Sequence, residues 1–514
     1  VANPHEKNKY PIIDTARHTA DDIGFGYYLA DCFVGKFAYF AISPKKGEWY
    51  KYDGSRWKPD MGDEVAQQTK LIVRHLKANN PYSAKLNDVM AQLQGLVVTD
   101  FTGAITSTGD MNKKIELENL QRLFEKAMQK WDKKSTTAQD EPTQNRMIKM
   151  ASSECRILPD DVDADKMILN VRNKTMNLQR QRAQKQKHTD KLTKMANVTF
   201  VRGAKCERWE KFIDEIMCGD KELARYLQKA LGYGISGQTH LECFFIAFGR
   251  LTRNGKGTLF GTIQNIMGDY CVTLDPEHLA VSKNLNAEAA SPTMARLAGA
   301  RIVLVPEPEK GMKLSERKVK QMTGRDTMDA RRMYQETFTF MPQFKLFFHS
   351  NFLPSVKENT LFKSRRVKII PFERHFDAKS EDAGLKDYFL TEEAKSGILN
   401  WLLEGYKMFV AEGLQDVKAV IDAVDGYQAE SDIIMQFVNE SLVKIKSEDG
   451  SPLQDVFEEY KKWCDESNIP AKGKNNFSKE LKERGIRVAP GYANTTTVYG
   501  YGISAGDDLP VEWR

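Results

Sequence analysis

The sequence predicts a multidomain α/β chain built around a phosphate-binding core, on three observations. Its 514 residues exceed what a single hydrophobic core serves. The middle of the chain alternates short apolar, β-rich runs with helical periodicity, the pattern of a sheet covered on both faces. A glycine-lysine loop lies directly between one of those runs and a helix. With 28% charged and 41% apolar residues, the composition is that of a folded protein rather than a disordered or collagen-like one.

Several classes are set aside early. The longest apolar stretches, Cys243 to Phe248 and Ile302 to Val305, fall far below the roughly 20 residues of a membrane-crossing helix. The first residues lack the charged-then-apolar layout of a secretory signal, so a cytoplasmic setting is expected. Seven cysteines without paired spacing argue for reduced packing residues. Eight dispersed histidines build no zinc site, so a metal is expected to arrive with nucleotide. A net charge of +6 identifies no partner by itself, and its distribution matters more.

Residues 1–20 read as a polar arm, and 21–200 as a mainly helical α+β lobe. Within it, Trp49 and Tyr50 before Asp53-Gly54 and Trp57 predict a hairpin, because Asp-Gly tolerates positive φ. Apolar residues at helical spacing predict helices over Val65 to Leu76 and Leu117 to Trp131. The polar run Asp132 to Asn145 reads as a loop. The basic run Gln179 to Lys194 reads first as a solvated linker and second as a DNA contact. The core is expected over 201–375, with a helical lead-in at 208–235 whose pattern ends near Gly232. A helical lid or linker follows over 376–430, including Ala394 to Phe409. Residues 431–514, with helices around Ile433, Leu453 and Phe477 and a glycine-rich β tail, read as a winged-helix-like DNA-binding domain.

The chemistry centres on Gly249-Arg-Leu-Thr-Arg-Asn254-Gly255-Lys256-Gly257-Thr258, after the strand Cys243 to Phe248 and before a helix from Leu259. Such a junction offers backbone N–H groups and a helix dipole to phosphate, while Lys256 neutralises the β and γ groups. Five residues rather than four separate Gly249 from Gly255, and Gly257 stands where the hydroxyl residue usually follows the lysine. Thr258 must then supply the magnesium-side hydroxyl, an arrangement resembling the GKGT loop of adenylate kinases. Downstream, Arg301 to Val305 is an apolar strand leading to Glu307 and Glu309. A carboxylate at a strand's end can hold magnesium and polarise water, which makes Glu307 the metal-side candidate and Glu309 the candidate base. The strand Phe344 to Asn351 ends in an amide able to contact the γ-phosphate or attacking water. Arg365 and Arg366, before the strand Val367 to Ile370, are arginine-finger candidates for a neighbouring subunit's ATP.

A phosphate loop, an acidic strand, a basic G-x-D segment and an Asn-ending strand, in this order within residues 249–372, resemble the superfamily 3 helicases of small DNA viruses and phages. Arg253 to Thr258, Lys320-Gln-Met-Thr-Gly-Arg-Asp326 with Ala330-Arg-Arg-Met-Tyr334, Ser350-Asn-Phe-Leu-Pro354, and Arg365 to Phe372 are similar, more narrowly, to the phage and plasmid primase-associated helicases related to the poxvirus replicative helicase-primase. Trp49 to Trp57 and Asp165 to Leu178 extend the likeness into the N-terminal lobe. The resemblance implies a hexameric AAA+-like P-loop ring using ATP and Mg2+ to move on single-stranded and forked DNA, 3′ to 5′, in a bacterial host cell. It implies a hairpin that lines the channel with Arg331 and Arg332, and with Lys320 and Tyr334 as weaker candidates; cations there follow the phosphate backbone without reading sequence. The C-terminal lysines Lys472, Lys474, Lys479 and Lys482, with Asn475 and Asn476, suggest contact with origin DNA. The chain has too little room for a primase, and Asp161-Val-Asp163 lacks a following His motif, so a separate primase partner is expected. The rival reading is an ATP-switched origin-binding initiator without strong unwinding. A packaging ATPase would call for a nuclease carboxylate cluster that the sequence lacks.

Overall fold

A computed structural model of the chain describes residues 10–43, 46–99, 105–108, 111–281, 292–331, 337–355, 360–377, 382–467, 470–491 and 495–503. At its centre five strands form one parallel sheet: β1 (Phe244–Phe248), β2 (Cys271–Thr273), β3 (Ile302–Val305), β4 (Lys345–Ser350) and β5 (Val367–Pro371). Their order is β2-β3-β4-β1-β5. Alternation along the strands explains why the runs are apolar throughout. Phe245, Ala247, Ile302, Leu304, Phe347 and Ile370 enter one hydrophobic cluster, whereas Phe244, Ile246, Val303, Val305, Leu346 and Phe348 enter another on the opposite face.

Around the first cluster the helices Glu207–Ile216 and Lys221–Ile235 pack with Glu392–Glu412. The second of these does not stop at Gly232. A Cβ there would lie 2.2 Å from the Tyr406 nitrogen and 2.3 Å from the Gly405 carbonyl carbon, so the glycine permits a close helix crossing rather than a terminus. The helix Lys418–Ser431 lies against β5, with Val420 and Tyr427 both buried. Residues 392–431 therefore form part of the core's wall.

The N-terminal lobe has a sheet of Phe37–Ser43, Lys46–Tyr52 and Trp57–Pro59, joined in parallel by Arg156–Ile157. Its Asp53-Gly54 turn matches the expected hairpin, with Gly54 at φ +97° and Asp53 Oδ1 accepting from the Ser55 and Arg56 N–H groups at 2.8 and 2.9 Å. The helix Glu64–Ala78 matches the expected one. The run Asp132 to Asn145, however, is mostly helix: Met111–Thr137 continues through it and Glu141–Glu154 begins within it. Trp131, Ser135 and Ala138, all at 0% exposure, hold one face inward while the polar residues cover the other, which is why composition suggested a loop.

The basic run is not a linker either. Arg182–Gln184 is the edge strand of an antiparallel sheet with Ile168–Asn170 and Thr175–Asn177. Leu169, Met176 and Leu178, with Ala196 and Val198, share the hydrophobic cluster of Trp209 and β1. The expected boundary near residue 200 therefore falls inside a continuous core. Trp57 ties the lobe to this segment, donating from Nε1 to the His188 carbonyl at 2.9 Å.

At the C-terminus the helices Ile433–Ser441, Leu453–Glu466 and Lys474–Glu483 surround a small core with Phe437, Tyr460 and Phe477. An antiparallel sheet of Gly450–Pro452, Thr496–Tyr499 and Val488–Pro490 closes it. No helix among the described residues is long and apolar enough to cross a membrane.

Candidate nucleotide-binding site

The glycine-lysine loop runs from the C-terminal end of β1 into the helix Lys256–Met267. Its shape comes from several restraints. Gly255 has φ +83°, and a Cβ there would lie 2.4 Å from Ile216 Cγ2, so only glycine fits both the backbone and the space. Asn254 is buried and donates from Nδ2 to the carbonyls of Leu251 at 2.7 Å and Phe372 at 3.4 Å. Its amide is thus committed to bracing the loop. Gly249 abuts that brace, since a Cβ would lie 2.2 Å from the Phe372 oxygen. From the other side the Phe376 N–H reaches the Arg253 carbonyl at 2.8 Å, and His375 Nδ1 lies 2.8 Å from the Thr252 oxygen.

Within this loop Lys256 is only 6% exposed, and its Nζ donates to Asn351 Oδ1 at 2.8 Å and to the Gly249 carbonyl at 3.3 Å. Burial lowers its pKa to about 8, against the raising influence of nearby Glu307. Glu307 in turn accepts from the Asn351 backbone N–H at 2.9 Å and from Asn351 Nδ2 at 3.3 Å. Asn351 therefore bridges cation and carboxylate through both ends of its amide. The sheet order makes this possible, because β4 lies between β1 and β3 and all three end on the same edge.

Thr258 is half-buried in the helix's first turn and Gly257 is exposed, with open space where its Cβ would stand. Glu309 is exposed, beyond Glu307 in the same loop. His349, on β4, was not singled out from the sequence; it stacks on Phe260 at 5.7 Å between ring centroids. Burial lowers its pKa, and the Lys256 charge adds to the effect. The bracing atoms of Phe372 and His375 were likewise unforeseen, since a backbone carbonyl leaves no trace in a motif.

Arg365 and Arg366 lie at the other edge of the sheet, before β5 begins. Arg366 is held within its own chain: Nη2 meets Glu242 Oε2 at 2.5 Å and Nη1 donates to Thr323 Oγ1 at 2.9 Å. Arg365 is exposed, with φ +55°. A hairpin of Met328–Arg331 and Thr337–Phe340 sits between β3 and β4 in the chain, with Arg331 exposed at its first strand's end. Arg332 and Tyr334 lie outside the described residues. Lys320 pairs with Glu316 at 3.4 Å. In the C-terminal unit Lys472 pairs with Glu480, Lys479 with Glu483 at 3.8 Å, and Lys474 bonds Gln454, while Asn475, Asn476 and Lys482 are exposed.

Comparison with known proteins places this arrangement. A family model described as "D5 N terminal like" matches residues 27–218, a family of unknown function (DUF5906) matches 247–366, and "Poxvirus D5 protein-like" matches 429–503. "Putative helicase L207/L206" of Acanthamoeba polyphaga mimivirus is 29% identical over 279 residues, covering 51% of this chain and 28% of that protein. "Putative helicase 022R" of Frog virus 3 is 30% identical over 207 residues, covering 37% and 21% respectively. "Putative helicase 121R" of Invertebrate iridescent virus 3 is 21% identical over 509 residues, covering 89% and 51%. The chain thus spans between 21% and 51% of the length of these relatives. Among solved structures, an apo structure of the NrS-1 C terminal region aligns at 13% identity and a TM-score of 0.40, over 60% of this chain and 78% of that one. Both flanks of the chain thus resemble D5-type proteins, and the relatives named above are putative helicases of large DNA viruses.

Proposed function

We propose that this chain is an ATP-driven DNA helicase of the AAA+ type, in superfamily 3, working as a hexameric ring in the replication of a phage, virus or mobile element. The observation that carries the reading is the Lys256–Asn351–Glu307 network at one edge of the parallel sheet. A buried ammonium in a glycine loop at a helix N-terminus is suited to the β and γ phosphates of ATP, which would replace its bonds to Asn351 and Gly249. Thr258 and Glu307 are the residues that would hold Mg2+. That ion, when bound, supplies charge neutralisation between the phosphates. Asn351 would orient the attacking water, and Glu309 is the candidate base. Asn254 shapes the loop instead of touching nucleotide.

Arg365 is the better finger candidate, because Arg366 is already paired. The length of β5, about 3.3 Å per residue over five residues, separates Arg365 from its own chain's loop, so its target would be a neighbour's nucleotide. Arg331, together with Arg332, Tyr334 and Lys320, would track single-stranded DNA in the channel. Three helices and a three-stranded sheet at the C-terminus support a winged-helix-like contact with origin DNA through Asn475, Asn476 and Lys482.

The test is unwinding of forked duplexes bearing a 3′ or a 5′ tail, by the wild type and Lys256→Ala. ATP-dependent strand separation on the 3′-tailed fork, lost in Lys256→Ala, is expected. If neither tail supports it, the motor reading fails.

A further inference from the structure

Residues 166–189 contain seven Lys and Arg and no Asp or Glu. That charge exceeds by one the formal net charge of +6 carried by the whole chain, so everything else together is net negative by one. This segment, bracketed by Asp163, Asp165 and Asp190, carries the sheet of Ile168–Asn170, Thr175–Asn177 and Arg182–Gln184.

The register shows how this unit is held. Leu169, Met176 and Ala183 face one another across the three strands and pack into the core cluster. Arg182, one position off, belongs to the other face and is exposed. Arg180, before this strand, and Lys185 and Lys187, after it, are exposed too; among the described residues none of the four takes part in a salt bridge, and Lys187 acts electrostatically on Asp190. Arg172, by contrast, is spent on Glu392 at 2.9 Å. Asn and Gln residues interleave the cations (Asn173, Asn177, Gln179, Gln181, Gln184, Gln186), offering further donors to phosphate oxygens.

One side of the sheet touches the base of the hairpin. Lys166 Nζ lies 3.3 Å from Met341 Sδ, one residue beyond the returning strand Thr337–Phe340. Two strand spacings, about 10 Å, separate that side of the sheet from the Arg182 edge.

We propose that this sheet is a second nucleic-acid contact, a preorganised cationic platform that binds the DNA phosphate backbone without reading sequence, through Arg180, Arg182, Lys185 and Lys187. The proposal rests on the chain handling DNA, but not on ATP hydrolysis. Cations on an edge strand also deter pairing with other strands, which is the competing explanation.

The experiment measures equilibrium DNA binding without nucleotide as a function of salt, for the full chain and for a variant with Arg180→Gln, Arg182→Gln, Lys185→Gln and Lys187→Gln. Loss of four backbone contacts lowers the slope of log K against log salt by about 3 on single strands and slightly more on duplex, so the two substrates identify the strand form. A Lys185→Arg, Lys187→Arg variant retains the wild-type slope. If the glutamine variant melts like wild type and its slope changes by less than about one on both substrates, the platform is refuted. Aggregation with unchanged slope favours edge protection and equally refutes it. A wild type that binds no DNA removes this proposal together with the helicase reading, whereas DNA binding without unwinding removes the helicase reading alone.

Discussion

Gly255→Ala places a methyl group where the loop has neither the backbone conformation nor the space for it. At φ +83° an L residue is in the left-handed region, which costs about 1–2 kcal/mol. The new Cβ would lie 2.4 Å from Ile216 Cγ2 and 3.3 Å from Phe212 Cε2, both on fully packed side chains. Relieving such an overlap in a packed core adds about 1–3 kcal/mol. The expected cost, roughly 2–5 kcal/mol, is a large share of a domain's stability and moves the helix that begins at Lys256. The assay is a double-mutant cycle with Ile216→Ala, read by thermal denaturation and by binding of a non-hydrolysable ATP analogue. Removing Ile216 should relieve the steric part and leave the backbone part, giving a favourable coupling of about 1–3 kcal/mol and partial recovery of nucleotide binding. A Gly255→Ala protein within about 0.5 kcal/mol of wild type, or strictly additive effects, would refute the double constraint.

Two further outcomes are expected. Lys256, with its pKa lowered to about 8, should regain its proton when phosphate binds, so ATP affinity falls as pH rises through that value and calorimetry in buffers of different ionisation heat detects proton uptake at pH 8. The same shift makes the charged lysine a burden on the nucleotide-free fold at neutral pH, one relieved only as pH climbs from about 8 towards 10.5, and Lys256→Arg should abolish the affinity trend. Gly232→Ala should destabilise the core by about 2 kcal/mol or more despite alanine's better helix propensity, because its Cβ meets backbone atoms of Tyr406 and Gly405 that cannot rotate away; an unchanged melting temperature would contradict the close crossing.

Legibility in the sequence followed the physics of burial. Four of the five core strands could be read, because a strand buried on both faces is apolar nearly throughout, whereas Cys271–Thr273, three residues long and ending exposed, went unread. The helices of the lobe were readable only where both apolar and polar faces left a period. Asp132 to Asn145 was not, since Trp131, Ser135 and Ala138 are three inward contacts spread over two helical turns, one of them a serine. The sheet at 168–184 was invisible for a different reason. Strands of three residues are too short to establish an alternation, and their inward residues Leu169 and Met176 pack on core residues far away in sequence.

The site divides in the same way. Lys256, Glu307 and Asn351 could be listed from residue type and order, because a phosphate needs a cation and a carboxylate needs a strand end to present it. That one amide joins the two follows from β4 lying between β1 and β3, a pairing that no local pattern encodes. The two arginines separate on the same principle. Their adjacency made them equivalent in sequence, yet Arg366 meets Glu242 and Thr323 while Arg365 turns outward with a left-handed backbone. A residue whose charge is already neutralised by a partner at 2.5 Å would have to break that pair before serving another subunit's phosphate, whereas an exposed guanidinium pays no such penalty. Arg365→Ala should therefore suppress hydrolysis in an assembled ring without weakening nucleotide binding, and Arg366→Ala should first be detected as a loss of stability.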